Sequence, residues 1–144
     1  MKKLLSICGI FLLCFIYIGC ARVQLTPEDK AFCAKAAACP LELIISKDKA
    51  EEAWSRAHTW IAKYSSMKIQ TVTDYILQTY NPVDRAFPII YAYSLTKTLM
   101  GSEVQITIEC FSNNRFATRQ TSHNAHLLAY YIKTGENHPH LINR

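Results

Sequence analysis

The stretch VQITIEC, residues 104–110, decides the fold class because its side chains alternate strictly between apolar and polar. The two phases are Val104, Ile106, Ile108 and Cys110, and Gln105, Thr107 and Glu109. A strand sends successive side chains to opposite faces of its sheet, so this period of two predicts a strand with one buried face and one open face. Another layer of structure must cover the apolar phase.

Other parts of the chain show the same extended pattern. Residues 89–95 alternate in the same way, and Met100-Gly101-Ser102 supplies a turn between them and the first stretch. Residues 67–80 also alternate, but the phase slips near Thr73, which predicts either two strands with a tight break or one strand with a bulge. Residues 41–45 are interpreted as a short strand or an extended link. Because the connections are short, the strands are expected to form an antiparallel meander.

Three helices are predicted around these strands. Thr26-Pro27-Glu28-Asp29 is typical of a helix start, and that helix is expected to end near Ala38. A second helix follows a Ser46 cap and runs to about Tyr64. Its apolar residues recur every three or four positions and form one stripe: Ala50, Ala53, Trp54, Ala57, Trp60, Ile61 and Tyr64. A third helix is expected to begin at Thr121 or Ser122 and to end at Gly135.

These elements predict an α+β fold, a two-layer sandwich in which helices pack on one face of an antiparallel sheet of three to four strands. The domain is expected to span residues 26–136, with residues 137–144 as a tail. The uncovered face of the sheet is the candidate binding face. Its residues are Gln70, Ser94, Thr96, Gln105 and Thr107.

The N-terminus carries the signature of a secretory signal peptide. Lys2 and Lys3 precede an uncharged apolar run from Leu4 to Gly19, which is short for a spanning helix of about 20 residues. Tyr17-Ile18-Gly19-Cys20 resembles the lipobox of small bacterial lipoproteins. The resemblance implies a signal peptide over residues 1–19, lipidation of Cys20 and a lipidated tether over residues 20–25.

Two other fates of this segment stay open. Gly19-Cys20-Ala21 also fits an ordinary signal peptidase, and the apolar run could be kept as an uncleaved anchor. If Cys20 is lipidated, the acyl chains attach the domain to a membrane. The residue after Cys20 is Ala21 and not Asp, which by resemblance to Gram-negative lipoprotein sorting implies the outer membrane, with the domain facing the periplasm.

Charge and cysteine content fit such a location. Processing at Cys20 would remove Lys2 and Lys3, so 14 of the 16 basic residues would remain against 11 acidic ones, a net charge of +3. The basic residues are scattered, so no nucleic-acid partner is expected. In an oxidising compartment Cys33, Cys39 and Cys110 allow one disulfide. We predict the bridge between Cys33 and Cys39, since Pro40 disfavours helix at Cys39, with Cys110 reduced in the core.

The sequence contains no pattern that is typical of an enzyme, such as G-x-S-x-G or H-E-x-x-H. His123 and His126 could share a metal ion, with His138 and His140 as further ligands, but a polar helix edge and a solvated tail explain the same residues. We therefore expect no metal site and no cofactor. The sequence favours a membrane-tethered binding or assembly module of the cell envelope, with an envelope protein as partner. The alternative is a small envelope hydrolase.

Overall fold

A computed structural model of the chain describes residues 24–82 and 89–143. The predicted signal peptide (1–19) and Cys20 lie outside the described residues. The elements, in chain order, are α1 (Pro27–Ala37), β1 (Glu42–Ser46), α2 (Lys47–Tyr64), β2 (Ile69–Val72), β3 (Ile76–Thr79), β4 (Tyr91–Met100), β5 (Glu103–Ser112), α3 (Thr118–Thr134) and a 3₁₀ helix (Pro139–Leu141). None of these helices is long and apolar enough to cross a membrane.

The strands form one antiparallel sheet in the order β1-β5-β4-β3-β2. The predicted α+β class is thereby confirmed. The predicted number of three to four strands is wrong, because the residues that the structure describes already form a sheet of five. The extra edge strand is β1, where Leu43 pairs with Ile106. A five-residue segment is too short for its periodicity to separate a strand from an extended link, so only pairing with β5 settles it.

The long hairpin of β4 and β5 lies at the middle of the sheet. Its ten paired positions run without a break from Tyr91↔Ser112 to Met100↔Glu103. Gly101 closes the turn with φ +64°, a left-handed conformation that glycine adopts at little cost. The hairpin therefore sets the register for the shorter strands on both sides.

The main core lies between the inward face of the sheet and helices α2 and α3. Ile106, Leu95 and Tyr93 point inward from β5 and β4 and are fully buried. They meet the apolar stripe of α2, where the Trp60 and Tyr93 rings pack edge to face at 5.2 Å. Leu128 of α3 belongs to the same cluster. The period-two strands and the period-3.6 helices thus share one hydrophobic core, as the sequence predicts.

Helix α1 begins with a capping box. The Thr26 hydroxyl accepts a hydrogen bond from the Asp29 backbone N–H at 3.1 Å, and the Asp29 carboxylate accepts one from the Thr26 N–H at 3.1 Å. Two backbone donors that a helix start leaves unpaired are satisfied in this way. The predicted start is confirmed, and Asp29 is held in one orientation.

Residues 137–143, the described part of the C-terminal segment, pack onto the folded domain, which corrects the expectation of a solvated tail there. Leu141 is fully buried in a second cluster with Phe32, Ala36 and Leu127. This cluster lies between α1 and α3. A segment of seven residues is too short for periodicity to reveal its packing, so the sequence does not indicate this contact. The third helix also begins at Thr118, one turn earlier than predicted.

The two faces of β5 predict opposite effects of substitution. Ile106→Ala should lower the free energy of unfolding by about 2–5 kcal/mol, because it leaves a cavity in the main core. Thr107→Ala, one residue away on the open face, should change it by about 1 kcal/mol or less. Urea denaturation followed by circular dichroism measures both. Equal destabilisation by the two substitutions would contradict the assignment of the faces.

Candidate functional site

The open face of the sheet presents three rows of side chains that run across neighbouring strands. Residues paired in register share a face, so each row is read directly from the pairing. The rows are Ile44–Gln105–Thr98, Glu42–Thr107–Thr96–Ile76 and Glu109–Ser94–Gln78–Thr71. Four of the five predicted binding-face residues, Ser94, Thr96, Gln105 and Thr107, therefore lie together on this face, at its centre.

The fifth predicted residue does not take its place in these rows. The pairing of β2 with β3 shifts between Ile69↔Thr79 and Thr71↔Gln78, so Gln70 is an extra residue in the ladder. Thr71, and not Gln70, therefore pairs with Gln78 in the third row. The phase slip that the sequence shows near Thr73 is a tight break between two strands, because β2 ends at Val72 and β3 begins at Ile76. The irregularity at Gln70 is a second, separate feature that the alternation of the sequence did not reveal.

Apolar residues surround the polar centre of the open face. Ile44, Ile76, Met100 and Phe111 are all exposed, although each is large and hydrophobic. Ile44 and Ile76 end two of the rows, whereas Met100 and Phe111 lie at opposite ends of the central hairpin. Exposed apolar side chains grouped on one surface are typical of a contact site for another molecule.

The open face is also acidic. Glu42, Glu103 and Glu109 point outward from β1 and β5, and the first of these accepts a hydrogen bond from the Gln105 amide at 3.1 Å. The only Lys or Arg in the five described strands is Lys97, and it points to the helical side, because it pairs with the buried Ile106. The face is therefore negative in a chain whose net charge is positive.

Lys97 is a buried cation that the sequence analysis did not single out. Only 6% of its surface is exposed. Its ammonium lies 3.0 Å from the Glu51 carboxylate and 5.2 Å from the centre of the Trp54 ring. An ion pair and a cation–π contact compensate the loss of hydration. Because Lys97 follows Leu95 in the inward phase of β4, its position could have been read from the alternation of the strand.

A second candidate site joins the start of α1 to the C-terminal segment. His140 donates a hydrogen bond from Nε2 to Asp29 Oδ1 at 2.7 Å, and His138 Nδ1 lies 4.0 Å from the same oxygen. The His138 ring stacks on the Phe32 ring with 3.9 Å between centroids. The hydrogen bond from His140, followed by that from the Thr26 backbone, lowers the pKa of the Asp29 carboxyl below its ordinary value. Asp29, His138 and His140 place three metal-ligand atoms within 4.8 Å of one another.

The histidines of α3 do not join this cluster. A ring nitrogen of His123 lies 3.1 Å from the Leu141 carbonyl, and one of His126 lies 2.8 Å from the Cys39 carbonyl. A carbonyl oxygen only accepts hydrogen bonds, so in both cases the ring nitrogen is the donor. The i, i+3 spacing that suggested a shared metal ion instead fixes two chain segments against the helix.

Cys39 is a free thiol in the structure. It belongs to the main core, whereas Cys33 packs against the second cluster. Helical backbone persists as far as Ala38, and six residues of helix rise about 9 Å, more than the Cα separation of about 4.4–6.8 Å in a disulfide. A bridge between them would require the last turn of α1 to unwind, so the Cys33–Cys39 disulfide stays a prediction for an oxidising compartment.

Cys110 points to the helical side of the sheet, as the strand phase predicts. It pairs across the hairpin with the fully buried Tyr93. Burial raises the pKa of the Cys110 thiol to about 12, although the neighbouring Tyr93 hydroxyl acts in the opposite direction. A thiol with so high a pKa is almost entirely protonated at neutral pH and is a poor nucleophile.

Comparison of the chain with protein-family models, with curated proteins and with solved structures found no match.

Cys110 should resist alkylation in the folded protein. At pH 8 a thiol with a pKa of about 12 is ionised in roughly one molecule in 10⁴. An exposed thiol at the same pH is ionised in roughly one molecule in four. Iodoacetamide labelling followed by peptide mapping should find Cys110 unmodified in native protein and fully modified in urea. Rapid labelling of native protein at Cys110 would show that the thiol is accessible and reactive.

Proposed function

We propose that the protein is a lipoprotein of the bacterial cell envelope, attached to a membrane through Cys20, whose domain acts as a binding or assembly module. The observation that carries this function is the open face of the central hairpin. Ser94, Thr96, Gln105 and Thr107 lie there in register, with exposed apolar residues around them. The helices bury their apolar residues with the inward side chains of the sheet, so no described helix covers this face.

The partner that fits the face is an envelope protein that presents basic and aliphatic side chains. Glu42, Glu103 and Glu109 supply outward carboxylates, and in the described strands no basic residue lies beside them on this face. Charge complementarity directs the encounter of two proteins and their orientation, whereas the apolar residues supply area that is removed from water. Ile44 and Phe111 would contribute to that area.

The hydrolase alternative receives less support. A hydrolase could use the Cys110 thiol as its nucleophile, but burial raises the pKa of this thiol and keeps it protonated. Efficient nucleophilic catalysis would require an adjacent base or a lowered pKa. His123 and His126 each use one ring nitrogen to donate a hydrogen bond to a backbone carbonyl. A nitrogen that carries this proton cannot act as a base.

Lipidation is tested at Cys20. Metabolic labelling with a palmitate analogue should mark the wild-type chain and leave Cys20→Ser unmarked, because only the cysteine can carry the acyl chains. Cys33→Ser is the matched control and should be labelled like the wild type. Equal labelling of wild type and Cys20→Ser would contradict the lipoprotein assignment.

The binding face is tested by photocrosslinking in cells. A benzophenone amino acid at Thr96 should form a crosslink to one partner, whereas the same residue at Thr59, exposed on α2, should not. Glu109→Lys should reduce the Thr96 crosslink several-fold, because it places a positive charge opposite basic partner groups. A crosslink between two copies of this chain would assign the face to self-association, and equal crosslinking at both positions would contradict a docking face.

A further inference from the structure

The cluster at the end of the helical layer has the composition of a transition-metal site. Two imidazoles and one carboxylate are ligands that Zn²⁺ and related divalent ions bind in proteins, commonly with a fourth position left to water. In this chain the carboxylate is that of Asp29, at the start of α1, and the imidazoles are those of His138 and His140. His140 lies 111 residues after Asp29 in the sequence. Such a juxtaposition arises only through the packing of the C-terminal segment.

The distances require small adjustments to accept an ion. With metal–ligand distances of about 2.0–2.1 Å, neighbouring ligand atoms in a tetrahedral site lie about 3.3 Å apart. Asp29 Oδ1 and His140 Nε2 are at 2.7 Å, so they would separate by about 0.6 Å when the ion replaces their shared proton. His138 Nδ1, at 4.0 Å from the same oxygen, would approach by a similar amount.

The ligands are oriented before an ion arrives. The second oxygen of Asp29 accepts the hydrogen bond from the Thr26 N–H, so the first oxygen is turned towards the histidines. The Phe32 ring fixes the plane of His138, and Pro139 restricts the backbone between the two histidines. Contacts that hold ligands in place in this manner increase metal affinity.

The cluster is accessible from solvent. The side chain of Asp29 is 10% exposed, that of His138 29% and that of His140 53%. The carboxylate is thus protected by its surroundings, whereas the imidazoles open towards water. An ion can enter without unfolding the segment, and a water molecule can complete its coordination.

We propose that Asp29, His138 and His140 form a binding site for a divalent transition-metal ion such as Zn²⁺. The ion ties the C-terminal segment to the first turn of α1. The site lies on the helical side, so it is separate from the open face and does not depend on the proposed binding function. This proposal replaces the expectation of no metal site. The sequence did not suggest the site, because its spacing does not reveal that Asp29 lies beside the two histidines.

The test uses the full chain in detergent, purified without a histidine tag. Titration with Zn²⁺, followed by calorimetry, should show one ion bound per chain. His138→Ala and His140→Gln should each weaken binding about tenfold or more, whereas His58→Ala, an exposed histidine of α2, should leave it unchanged. His140→Gln keeps a side-chain N–H for Asp29 but removes the imidazole. Zn²⁺ should also raise the melting temperature of the wild type and not that of His140→Gln.

Co²⁺ distinguishes the ligands. A d–d spectrum of tetrahedral type without a thiolate-to-cobalt charge-transfer band is the expected result, because the site contains nitrogen and oxygen ligands only. A charge-transfer band would show that cysteines hold the ion and would overturn the proposal. No Zn²⁺ binding by the wild type, or equal binding by wild type and both histidine variants, would also overturn it and would leave the cluster as an ion pair that fixes the C-terminal segment.

Discussion

The packing of the central hairpin against helices α2 and α3 is the interaction on which the rest of the structure depends. Tyr93, Leu95 and Ile106 are fully buried against the helices, and their burial decides which face of every other strand points inward. A shift of one residue would send all of these side chains to the opposite face, so the hydrophobic free energy of the core also fixes the register. The edge strand β1 and the shorter β3 take their places from that register.

The same constraint produces the surface to which we assign binding. Once one phase of the hairpin is buried, the other phase must lie on the outer side, and it brings polar residues and carboxylates into adjacent rows. Lys97 is charged, yet it points inward because its position in β4 belongs to the inward phase. Its contacts with Glu51 and Trp54 compensate the loss of hydration. The result is a sheet face that is acidic while the helical side contains the cationic strand residue.

The second cluster has a different origin. Leu141 and Phe32 draw the C-terminal segment onto α1, and this contact brings His138 and His140 to the capping carboxylate of Asp29. A helix cap is a local structure, and it uses only one oxygen of the Asp29 carboxylate. The other oxygen accepts the hydrogen bond from His140, which is distant in the sequence. Asp29 therefore serves both the helix start and the cluster, which explains why it is buried although it is charged.

Local patterns in the sequence determined the helices, the central strands and the inward position of Cys110, because periodicity and capping act over a few neighbouring residues. They also placed Ser94, Thr96, Gln105 and Thr107 on one face. Tertiary structure alone decided the pairing of β1 and the packing of residues 137–143, since each depends on a partner far away in the chain. The bulge at Gln70 depends on how β2 pairs with the neighbouring β3, which the periodicity of neither strand determines. The cluster of Asp29 with two histidines belongs to this second group, because no pattern within the sequence connects residues 111 positions apart.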